Sequence, residues 1–117
     1  MNGISEASIE LLRRAGSGIV VRAYGAFFPR FAAPGVLEAP DRDYTLPWTE
    51  PLAVPLSPGR HRIRVYLPRF FEPASPAKAE IEVWPGHATD VHYHGTRGGI
   101  LSAFAGRLVQ RQFVRID

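Results

Sequence analysis

The chain has 117 residues and a formal net charge of +3, from 14 Lys+Arg against 11 Asp+Glu, a length that suits one domain and leaves no room for two self-sufficient cores. Cysteine is absent, which excludes disulfide scaffolds, thiol catalysis and cysteine-ligated zinc together. All the basic residues except Lys78 are Arg, and they are spread along the chain among acidic residues, so the charge does not form the clustered patch that marks a nucleic-acid binder.

Residues 4–16 read as a short helix. Ser5 is the N-cap, Ile4 and Ile9 form a hydrophobic staple, and Gly16 is the stop. Glu6 in the first turn and Arg13 and Arg14 in the last suit the helix dipole. Ile9 and Leu12 are the residues to dock on a core. Ile19–Tyr24 is β-branched and aromatic between Gly18 and Gly25, and reads as a strand. From Ala26 to Asp43 the sequence reads as a long irregular stretch, unusually apolar for a loop. Short strands follow at Asp43–Leu46 and Leu52–Leu56, the second confined to an edge or an end by Pro55.

Three runs then alternate with period two. They are His61–Leu67, Ala79–Trp84 and Thr89–His94, separated by Pro/Gly breaks. Alternation predicts Ile63, Val65, Ile81, Val83, Val91 and Tyr93 inside, with Arg62, Arg64, Glu80, Glu82, His92 and His94 outside. The simplest arrangement is an antiparallel meander with one buried face, placing Glu80 and Glu82 beside the histidines. In the tail, Leu101, Phe104, Ala105, Leu108, Val109, Gln112, Phe113 and Ile116 fall on one helical stripe, with Arg107, Arg111 and Arg115 opposite. A helix is therefore the preferred reading there, with a strand at Val109–Ile116 as its competitor.

These elements predict a mainly β chain, a single antiparallel β-sandwich of about six to seven strands. A short N-terminal helix occupies 1–16, the sandwich 17–97, and an amphipathic helix or strand 98–117. The runs LSPGRHRIRV (56–65) and AEIEVWPGHATDVHY (79–93) resemble the paired hairpins of small bacterial β-sandwich domains, of the PEGA type and in uncharacterised actinobacterial proteins, over about residues 52–95. That resemblance implies a sandwich with a noncatalytic surface, scaffold or interaction role. It implies no catalytic residue.

Two groups of residues could carry function. Asp90, His92 and His94 lie at i, i+2 and i+4 of one strand and share a face, the spacing at which His-x-His with a carboxylate can ligate a divalent metal. Cross-strand Arg–Glu–His pairing on a solvated face accounts for the same residues, and neighbouring Arg charges oppose a cation, so the preferred reading has no metal and no cofactor. His61 reads as a brace for the turn before it. No nucleophile elbow or phosphate loop is present. The second group is Phe27, Phe28, Arg30, Phe31, Arg69, Phe70 and Phe71. It places five of the seven Phe in irregular segments beside Arg, a composition typical of protein interfaces. The alternative is that the loops bury their own rings.

The sequence thus predicts a non-enzymatic interaction or scaffold module that binds a protein partner or a second copy of itself. A carbohydrate-binding module, using Trp48, Trp84, Tyr44 or Tyr66 as platforms, is the alternative. A metal-dependent enzyme at Asp90, His92 and His94 is the distant one. No nucleic-acid partner is expected. No run approaches the roughly 18–20 apolar residues of a membrane span, and residues 1–16 lack a secretory pattern, so a cytoplasmic location away from membranes is expected.

Overall fold

The computed structural model describes residues 4–24, 35–47, 50–67, 74–94 and 107–116. Among the described residues one helix, α1 (Glu6–Ala15), precedes eight strands: β1 (Gly18–Tyr24), β2 (Gly35–Glu38), β3 (Asp43–Leu46), β4 (Leu52–Pro55), β5 (Gly59–Leu67), β6 (Ala74–Val83), β7 (His87–His94) and β8 (Arg107–Arg115). They form two four-stranded sheets, A in the order β4-β1-β7-β8 and B in the order β3-β2-β5-β6. The chain is thus the β-sandwich its alternation predicts, with eight described strands in place of six to seven and three further differences.

First, β1 and β7 pair in parallel, from Gly18 opposite Ala88 to Tyr24 opposite His94. Parallel neighbours need a long crossover, and here the whole of sheet B lies between them in the chain. Second, the three alternating runs are not one meander. β5 and β6 form a hairpin in sheet B, but Trp84–Gly86 carries the chain across to sheet A, where β7 pairs with β1 and β8. Third, the preferred C-terminal helix is a strand over its described part. β8 pairs with β7 from Arg107 opposite His94 to Arg115 opposite His87. Helical spacing is undone because β7 needs a second partner, and the β-branched and aromatic Val109, Phe113 and Val114 suit a sheet edge. The short strand β2 was hidden in the apolar stretch assigned to a loop.

Inward residues follow the predicted parity. Ile63, Val65, Ile81, Val83, Val91 and Tyr93 are all buried, joined by Ile19, Val21, Leu37, Leu46 and Val54 in the core between the sheets. Burying each such side chain contributes about 1.5–3 kcal/mol. A second, smaller core lies on the outer face of sheet A, where Leu12 of α1 meets Val20, Ala53, Ala88 and Ile116, with Ile4 packed against them. The helix is capped as the sequence indicates. Ser5 Oγ accepts the Ser8 N–H at 3.2 Å, and Gly16 adopts a left-handed φ of 86°. Gly18 sits directly beneath α1, where a Cβ would lie 2.5 Å from Leu12 Cδ2 and from the Val54 carbonyl oxygen.

Connectivity gives the sandwich two unlike ends. At one end the links are short: 39–42, 56–58 and 84–86, together with the α1–β1 joint. At the other end all the links are longer: 25–34, 47–51, 68–73 and 95–106. In sheet A, Tyr24, His94 and Arg107 are in register there. In sheet B, Val36 lies opposite Tyr66, and Leu67 opposite Ala74. The turn at 84–86 fixes the other ends of β6 and β7 together, so the loop-bearing ends of the two sheets coincide.

Candidate functional site

The outer face of sheet A changes character along its strands. Outward positions of β1 run Val20, Arg22, Tyr24, and those of β7 run Ala88, Asp90, His92, His94. The apolar members lie under α1. Beyond the helix the same strands present ions and rings. Asp90 stands at the centre of this polar half, with Arg22 Nε 3.5 Å from its Oδ1 and His92 Nε2 3.3 Å from its Oδ2. The Tyr24 ring packs at 4.9 Å from that of His92 and lies nearly parallel to that of His94 at 5.3 Å.

β8 completes the site from the other side. Its ladder to β7 shifts register between Asp90 and Val91, so Gln112 pairs with Asp90, Gln110 pairs with Val91, and Arg111 is the extra residue of a β-bulge. Asp90, His92, Gln110, Arg111 and Gln112 line a depression of about 280 Å3. Partial burial, then the charges of His92, Arg107 and Arg111, hold the His94 imidazole below its ordinary pKa.

This cluster brings the sequence candidates Asp90, His92 and His94 onto one face, but not as a chelate. The imidazole centroids of His92 and His94 are 6.2 Å apart, and Asp90 is engaged by Arg22 as well as His92. Among the described residues, no three His, Asp or Glu side chains converge to hold a metal ion. Glu80 and Glu82, expected beside the histidines, belong to the other sheet, because the chain changes sheets at Trp84–Gly86. There they lie opposite Arg62 and Arg60. The Arg–Glu lattice foreseen for the histidine face is on sheet B instead, with Arg64 on Glu38 at 2.7 Å and Arg60 near Glu80 at 3.6 Å.

The remaining histidines and aromatics are occupied locally. His61 Nε2 lies 2.7 Å from the Ser57 carbonyl, the turn brace the sequence suggests, and His87 Nδ1 is 2.8 Å from the Pro85 carbonyl. Trp84 stacks flat on Phe113, with centroids 3.5 Å apart and planes within 4°, while its Nε1 donates to Glu82. Tyr44 and Tyr66 each carry a guanidinium over the ring, from Arg42 and Arg64. Each of these three rings thus already has a local partner of its own. Trp48 lies outside the described residues.

Phe27, Phe28, Arg30, Phe31, Arg69, Phe70 and Phe71 also lie outside the described residues. What the fold does fix is where their segments attach. Both 25–34 and 68–73 leave and re-enter the sandwich at the end that carries Tyr24, His94 and Arg107. Sequence reading missed Arg22, Tyr24, Arg107 and Arg111 as neighbours of the histidines. The signal for the first pair was their i, i+2 spacing in β1. The other two were read as one side of a helix. No protein-family model matches the chain, and searches of curated proteins and of solved structures likewise give no match.

Proposed function

We propose that the protein is a noncatalytic scaffold or interaction module, acting in the cytoplasm, that engages a protein partner or a second copy of itself through the loop-bearing end of the sandwich. The observation that carries this reading is the convergence of the long connections at one end. The Phe- and Arg-rich segments 25–34 and 68–73 join the sandwich there, beside the exposed Tyr24 and the cationic edge of sheet A. Rigid sandwiches commonly present binding residues on loops gathered at one end. Rings of this size contribute strongly when they are covered by a partner, and arginines beside them orient it by hydrogen bonding and stacking. The sequence runs 56–65 and 79–93, which resemble PEGA-type domains, fit the same role. No helix among the described residues is long and apolar enough to cross a membrane.

Replacing Phe28 and Phe70 by Ser tests the proposal. The variant is expected to keep the cooperative unfolding of the parent and to lose concentration-dependent self-association or partner capture. If the double variant unfolds and the parent sediments as a monomer at every concentration, those rings are core and the reading fails.

A further inference from the structure

The polar half of the sheet A face carries positive charge that the described chain does not balance. Arg107 and Arg111 are exposed and neither has an acidic partner among the described residues. Asp90 is the only acid among the outward residues of β1, β7 and β8 beyond the helix, and it is already shared by Arg22 and His92. The β-bulge is a second, independent observation. β8 supplies Gln110, Arg111 and Gln112 where β7 supplies Asp90 and Val91, and Arg111 then lines the depression. Bulges of this kind re-aim a side chain, and they concentrate beside binding sites.

We propose that this face of sheet A binds an acidic peptide segment of a protein partner, with Arg107 and Arg111 taking its carboxylates beside His94. This rests on the interaction-module reading and names the chemistry of the partner. Spacing favours a peptide over a small anion. Arg111 lies four positions beyond Arg107 along the strand, roughly 13 Å at the usual rise, too far for one carboxylate and well matched to acidic side chains on an extended chain. Ring packing disfavours a nucleic-acid strand. Tyr24, His92 and His94 already lie against one another, whereas single strands need successive open rings on which to stack bases.

The proton linkage follows from the groups that face His94. These are His92 and Asp90 on β7, Tyr24 and Arg22 on β1, and Arg107 and Arg111 on β8. In the unbound protein the cations oppose imidazolium. Carboxylates seated on Arg107 and Arg111 offset that field, so binding favours protonated His94 and affinity rises as pH falls through its titration.

The test uses the full chain at low ionic strength with an oligoglutamate peptide, following the His94 ring C–H resonances against pH. The expected result is a His94 titration that moves to higher pH when peptide is added. Arg107→Glu with Arg111→Glu should weaken binding about tenfold, the sum of two exposed ion pairs reversed. Arg60→Glu with Arg62→Glu changes the net charge equally on the opposite sheet and should leave binding nearly unchanged. Should the arginine reversals on sheet A disturb folding, Arg107→Gln with Arg111→Gln, set against Arg60→Gln with Arg62→Gln, gives the same comparison. Equal losses in the two pairs of variants, a His94 titration indifferent to peptide, or equal binding of oligothymidylate at the same resonances would each overturn the proposal. Neither Phe28 nor Phe70 nor self-association enters this readout, so its failure leaves the broader reading standing.

Discussion

The two ends of this sandwich are built on opposite terms. At the short-turn end the backbone is tied together by the connections themselves. Gly86 N–H donates to the Gly16 carbonyl at 2.7 Å, and Ile116 N–H donates to the Gly86 carbonyl at 3.0 Å. Ser17 Oγ donates to the Leu56 carbonyl at 2.6 Å, and Arg13 Nε donates to the Ile116 carbonyl at 2.9 Å. Thus α1, the β4–β5 link, the β6–β7 corner and the end of β8 share one hydrogen-bonded knot over the Leu12 cluster. At the other end the same strands finish in Arg22, Tyr24, His92, His94 and Arg107, held by rings and charges. These ties between segments distant in sequence gather where connections are short, which leaves the far end able to carry residues chosen for contact.

Changes at the knot should therefore have the largest effects. Leu12→Ala removes a fully buried side chain that fastens α1 to sheet A, and is expected to lower stability by about 3 kcal/mol in urea unfolding. Gly18→Ala should cost about 2 kcal/mol. Its Cβ meets the Val54 carbonyl as well as Leu12, and backbone cannot step aside as a side chain can. Ser17→Ala strips a buried carbonyl of its donor and should cost about 1–2 kcal/mol by the same measurement.

At the ring end the corresponding changes should be small. His92→Ala with His94→Ala is expected to shift stability at neutral pH by less than about 1 kcal/mol. Its signature is a pH dependence. The folded protein holds the His94 pKa below its unfolded value, so the unfolded chain binds more protons between the two. The resulting stability is present above the unfolded pKa and is lost as pH falls through that window toward the folded pKa. His94→Gln should flatten this fall in a series of unfolding curves across mildly acidic pH. A fall of the same size in the variant would assign the effect elsewhere.

The contrast between the ends also explains what the sequence made legible. Turn chemistry and parity are local, so Ser5 and Gly16 marked the helix, and strict alternation placed Ile63, Ile81 and Tyr93 in the core. Which sheet a strand joins is not local. Nothing in Trp84-Pro85-Gly86-His87 distinguishes a hairpin from a corner between sheets, and the choice depends on hydrogen bonds to Gly16 and Ile116, remote in sequence. The candidate site suffered from that one ambiguity. Asp90, His92 and His94 were correctly grouped by spacing, but their cross-strand company was assigned to Glu80 and Glu82. The true neighbours, Arg22, Tyr24, Arg107 and Arg111, come from a parallel partner and from a strand whose apolar residues also fit a helical stripe. A bulge at Arg111 breaks the period-two pattern that would have revealed β8.

In the proposed interaction module, contact is made at the ring end while the knot only supports it. Mapping backbone amide shifts of the full chain as its concentration is raised tests this most directly. The expected perturbations gather at Tyr24, Val36, His94 and Arg107, with Gly16, Gly59 and Gly86 unmoved. Perturbations centred on Gly16, Gly59 and Gly86, with Tyr24 and His94 silent, would contradict it.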